Sequence, residues 1–132
     1  MDKQALNQKI AEWCGFKFVS FKNCERSTQE DKNKHGDSLC HVEAPDGVIT
    51  DAPPDFTSSL DALFKWAVPK LQLEGLVISL IAYEYSGFGC LITPFLAQEP
   101  LIERRNSESP ALAFCLALEK LIDSNSGGTL DA

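Results

Sequence analysis

Apolar side chains recur three and four residues apart near the start of the chain, at Leu6, Ile10, Trp13 and Cys14, which predicts a helix with one buried stripe. Asp2 is placed to cap its first turn and Gly15 to end its last. The pattern then changes to partial alternation through Phe16, Lys17, Phe18, Val19, Ser20, Phe21 and Lys22. Aromatic and β-branched residues suit a strand there, with Phe16, Phe18 and Phe21 reaching the core. From 23 to 37 almost nothing is apolar, and Glu25, Arg26, Glu30, Asp31, Lys32, Lys34 and Asp37 predict a mobile polar loop. A second strand resumes near Leu39 and turns back through Pro45, Asp46 and Gly47 into Val48 and Ile49. That tripeptide supplies both the fixed dihedral and the glycine of a tight hairpin.

Pro53 and Pro54 keep the next stretch extended, and Thr57 or Ser58 is read as the cap of a helix, with Ser58 and Asp61 approximating a capping box. Leu60, Leu63, Phe64, Ala67 and Leu71 form its core-facing stripe, and Pro69 is expected to kink or end its last turn. Leu76 to Tyr85 and Phe88 to Leu96, joined at Ser86 and Gly87, predict the main β-hairpin. Its first strand is apolar on both faces, which calls for a layer on each side or a dimer interface. Pro94, which cannot donate to a ladder, places the second strand at an edge or gives it a bulge. A charged connection with Glu103, Arg104 and Arg105 leads to Ser109 as cap, Pro110 as first helical residue, and a last helix. The buried side of that helix is Ala111, Phe114, Cys115, Leu118, Leu121 and Ile122. The expected fold is therefore α/β: a single-domain α/β/α sandwich over 1–123, with three helices and a short, mainly antiparallel sheet, followed by a flexible tail over 124–132.

Composition narrows the function. The 132 residues are 44% hydrophobic and 23% charged, the balance of a chain that folds around one core. A formal charge of -7 repels phosphate backbones and anionic lipid headgroups on average, so nucleic acid is disfavoured as a direct partner. The nearest basic clusters, Lys17, Lys22 and Arg26, or Lys32 and Lys34, are short or interleaved with acids. No apolar run is long enough to span a membrane, and the start of the chain has no signal-peptide pattern, which predicts a cytoplasmic protein. Cys14, Cys24, Cys40, Cys90 and Cys115 are odd in number and scattered, as expected of reduced thiols.

The run Pro54, Asp55, Phe56, Thr57, Ser58, Ser59, Leu60, Asp61, Ala62, Leu63, Phe64, Lys65, Trp66 resembles the phage ABA sandwich domain family. The likeness extends to Trp13 and Gly15 at the end of the first helix, to the Pro45-Asp46-Gly47 turn, and to the entry of the last helix at Ser109 and Pro110. It implies an α/β/α sandwich of phage or prophage origin. It implies no catalytic or binding residue.

Chemistry has few places to reside. Cys24, His35, Cys40 and His41 are soft or borderline metal ligands gathered around the polar stretch, and zinc is the ion they suit. They lack a Cys-x-x-Cys or His-x-x-x-His pair. Strand alternation would send Cys40 into the core beside Val42 while His41 and Glu43 face water, so no cofactor is expected. The same cysteines and histidines are also the only composition for thiol catalysis. Glu43, Asp46, Asp51, Asp55 and Asp61 lack the spacing of a calcium loop. Gly87 and Gly89 precede a strand, where a phosphate cradle requires a helix. Tyr83, Tyr85 and Phe88 could offer an aromatic interface at the hairpin. The expectation is thus a non-enzymatic accessory protein of phage origin that binds a protein partner, such as a host protein or a second copy of itself. The alternative is a small metal- or thiol-dependent enzyme using the cluster at 24–41.

Overall fold

The computed structural model describes residues 2–25, 27–84 and 87–126. Arg26, Tyr85, Ser86 and the tail from 127 onward lie outside the described residues. The fold is mixed α/β, with four helices and two three-stranded antiparallel sheets among the described residues, where three helices and one sheet were expected. Chain contacts divide it into two compact units, Met1–Ile10 with Pro54–Ala132, and Ala11–Pro53. No helix among the described residues is long and apolar enough to cross a membrane.

The first unit opens with helix α1 (Lys3–Cys14), whose first amides, Gln4 and Ala5, donate to Asp2 Oδ1 at 3.0 and 3.1 Å. The side-chain amide of Asn7 holds the extended segment that follows the two prolines: its Nδ2 donates to the Pro54 carbonyl and its Oδ1 accepts from the Phe56 amide. Helix α3 covers residues 60–73 and is capped by Ser59, which accepts from the Ala62 amide, one residue beyond the expected cap. Ser58 and Thr57 instead donate to Asp55. Between its α-helical parts, Leu60–Ala62 and Val68–Leu73, runs a π-helical turn, Leu63–Ala67. Pro69 lacks the amide that would bond one turn back, and the widened turn before it lets the helix continue to Leu73 without ending. Leu63, Ala67 and Leu71 are fully buried, whereas Phe64, expected in the same stripe, is 52% exposed.

Strands β4 (Leu76–Tyr83), β5 (Gly87–Pro94) and β6 (Ile102–Ser107) form one sheet in that order. The hairpin register runs unbroken from Leu76↔Pro94 to Tyr83↔Gly87. An edge position or a bulge was expected at Pro94; β5 is instead the central strand and pairs with β4 in unbroken register as far as Pro94, because the charged connection is itself a strand that pairs on its far side. Pro94 is tolerated because it closes the strand. Helix α4 (Pro110–Ser126) packs against all three strands, and Ala111 to Leu118 are buried on every side of it, so it is the axis of this unit's core.

In the second unit, α1 ends at Gly15 (φ 103°). The Phe16 amide donates to Ala11 and the Gly15 amide to Glu12, satisfying two of the last carbonyls. β1 (Lys17–Ser20), β2 (Leu39–Glu43) and β3 (Ile49–Thr50) make the other sheet. The hairpin turn forms as read: Ala44 donates to Val48, Gly47 sits at φ 92°, and Asp46 Oδ1 accepts from the Val48 amide. The polar stretch 23–37 is not simply a loop. It contains helix α2 (Gln29–His35), capped by Thr28, whose Oγ1 accepts from the Asp31 amide. Glu30 and Asp31 lie in its first turn and Lys32, Lys34 and His35 in its last, which complements the helix dipole where no apolar stripe exists.

Candidate metal centre

Two local irregularities in the second unit bring three soft donors together. The first is a bulge in β2. Val19 pairs with His41 and Ser20 with Leu39, so Cys40 is an extra residue without a partner on β1. An inserted residue resets the alternation of a strand and re-aims its side chains. Cys40 and His41, expected on opposite faces, consequently lie side by side, with Sγ 3.4 Å from Nδ1. The second is the 3-10 turn Phe21–Asn23 after β1, anchored by Phe21 and Lys22 amides donating to Ser38 and Gly36. It delivers Cys24 against the bulge, with Sγ 3.6 Å from the same His41 nitrogen.

The ligand atoms of Cys24, Cys40 and His41 all lie within 4.8 Å of one another. A zinc ion with Zn–S bonds of about 2.3 Å and a Zn–N bond of about 2.0–2.1 Å places tetrahedral ligand atoms about 3.5–3.8 Å apart. The two nitrogen–sulfur separations, 3.6 and 3.4 Å, are near that edge length.

Glu43 completes the arrangement from outside. His41 Nε2 donates to Glu43 Oε2 at 3.0 Å, which assigns the ring proton to Nε2 and leaves the Nδ1 lone pair toward the sulfurs. A carboxylate behind a ligating imidazole fixes the tautomer, orients the ring and raises its basicity. The His41 pKa is raised above 6.5, first by this hydrogen bond. The Cys40 thiol is pushed up, chiefly by its hydrogen bond with Cys24, while Ser27 Oγ, 3.7 Å from Cys40 Sγ, acts in the opposite direction. Cys24 is buried and Cys40 half-buried.

The other candidate residues lie elsewhere. His35 is exposed at the end of α2, its ring 5.6 Å from that of Phe21, and it does not belong to the three-donor group. Cys90 is buried in β5, where loss of solvation pushes its thiol up to about 12, and Cys115 Sγ donates to the Phe56 carbonyl. Tyr83 packs over Gly89 and under Arg105 within its own sheet, and Phe88 is half-buried. Tyr85 lies outside the described residues. Glu43 was read as a solvent-facing residue, and its role emerges only from the bulge, although its two-residue spacing from His41 on a strand already places both on one face.

No family model, curated protein or solved structure matches the chain.

Proposed function

We propose that this protein binds a zinc-class transition-metal ion through Cys24, Cys40 and His41, with Glu43 holding the imidazole. The observation that carries the reading is the pair of Nδ1–Sγ distances, 3.6 and 3.4 Å, on one nitrogen whose ring is already oriented by a carboxylate. Two thiolates and an imidazole suit zinc by softness and geometry. The five reduced thiols fit a cytosolic home, which is part of the same proposal. Competition with a chelator of known zinc affinity tests it. Cys24→Ser, Cys40→Ser and His41→Ala are each expected to weaken binding at least about tenfold, and Glu43→Gln by about tenfold. Cys14→Ser and His35→Ala should leave it unchanged. Equal affinity in Cys40→Ser, His41→Ala and the unaltered protein would remove the proposal.

A second reading, protein–protein binding by an accessory protein of phage or prophage type, rests on a different surface. Leu73, Val77, Phe95, Leu96 and Leu101 are 45–90% exposed around one end of the first unit's sheet, where the Phe95 amide donates to Gly75. Leu96 also holds φ 70°, an uncommon conformation for a branched side chain. Exposed apolar clusters of this kind serve association. A second copy of the chain is the first occupant to test: Phe95→Glu should abolish self-association in sedimentation velocity, and a monomer at every concentration would count against it.

A further inference from the structure

The second unit carries a cleft of about 590 Å³ whose wall includes Lys17, Asn23, Cys24, Glu25, His41 and Glu43. Two of the three proposed metal ligands therefore border open space. Among the described residues no fourth donor belongs to their group. A four-coordinate ion with three protein ligands keeps its last position for a ligand from solution. Two thiolates cancel the charge of a divalent ion, so a hard oxygen anion gains little there, whereas a soft donor matches the sulfur-rich set. The wall sets Lys17, opposite Glu43 on the neighbouring strand, against the carboxylates of Glu25 and Glu43, so Lys17 is the cation that limits repulsion of an incoming thiolate.

Resting on the metal-centre reading, we infer that the fourth coordination position opens on this cleft and binds a small thiol as its thiolate. The thiol proton passes to solvent, the metal–sulfur bond forms, and the displaced water leaves through the cleft. No electron changes hands.

The test is absorption spectroscopy of the cobalt(II)-loaded protein without oxygen, before and after addition of 2-mercaptoethanol. Thiolate-to-cobalt charge transfer before addition reports the two cysteine sulfurs. Binding of a third thiolate is expected to raise that absorbance by about half, saturably, in proportion to the sulfurs bound. Lys17→Glu should weaken the thiol step about fivefold to tenfold and leave cobalt uptake as it was. A charge-transfer band that does not change on thiol addition would overturn the open-position inference alone, as would loss of cobalt to the free thiol. Absence of the band before addition would overturn the metal-centre reading and this inference with it.

Discussion

Asp55 accepts hydrogen bonds from Ser58 Oγ at 2.6 Å and Thr57 Oγ1 at 2.7 Å, and these hold its carboxyl below the ordinary value of 3.8. A carboxylate depressed in the folded state contributes stability that is present above its unfolded pKa and lost as pH falls through its folded one. Asp55→Asn is therefore expected to be less stable at neutral pH. Urea midpoints should show its gap from the unaltered protein closing as pH drops below about 4, the range in which an unfolded aspartate titrates. A gap that stays constant to acid pH would remove this account of Asp55. The same contacts explain a residue that sequence pattern misplaces. Thr57, Ser58 and Ser59 are three successive hydroxyls, each able to cap a helix, and two of them are drawn to Asp55, leaving Ser59 to cap α3. Pattern announces that a cap is near, while tertiary hydrogen bonding selects which residue it is.

At the scale of elements, strong periodicity was legible and weak periodicity was not. α1, α4 and the β4–β5 hairpin follow directly from apolar spacing and capping residues. β6 was hidden because Glu103, Arg104 and Arg105 read as a connection, yet Ile102 and Ser107 are buried at its ends and Arg105 pairs with Glu103. α2 was hidden because it buries no residue and depends on its Thr28 cap and end charges. The proline in α3 was expected to kink or end its last turn; the helix does not end there, since a π-helical turn just before Pro69 lets it run on to Leu73. Close approach in the β4–β6 sheet gives a direct check. A Cβ at Gly89 would lie 2.7 Å from Tyr83 Cε2 and 2.8 Å from the Arg104 carbonyl, and the backbone contact cannot yield by side-chain rotation. Gly89→Ala is expected to destabilise by about 1–3 kcal/mol in chemical denaturation. A neutral effect would mean that β6 does not press on β5 as described.

For the molecule as a whole, the formal charge of -7 favours cations on average, in the same direction as the soft donor set of the proposed centre. The identities of Cys24, Cys40 and His41 were legible in the sequence, but their convergence was not. It depends on one inserted residue in β2 and one 3-10 turn, and strict alternation in their place would separate Cys40 from His41. His35 is as close in sequence and chemistry, yet α2 ends with it beside Phe21, because helical geometry and not composition decides where its ring lies. A metal that binds only the folded form also stabilises it, by about 4 kcal/mol when free ion exceeds the dissociation constant a thousandfold. The most direct test of the centre is X-ray absorption at the zinc edge on zinc-loaded protein. The geometry predicts a shell of two sulfurs at about 2.3 Å with nitrogen or oxygen at about 2.0–2.1 Å. A shell of nitrogen and oxygen alone would contradict it.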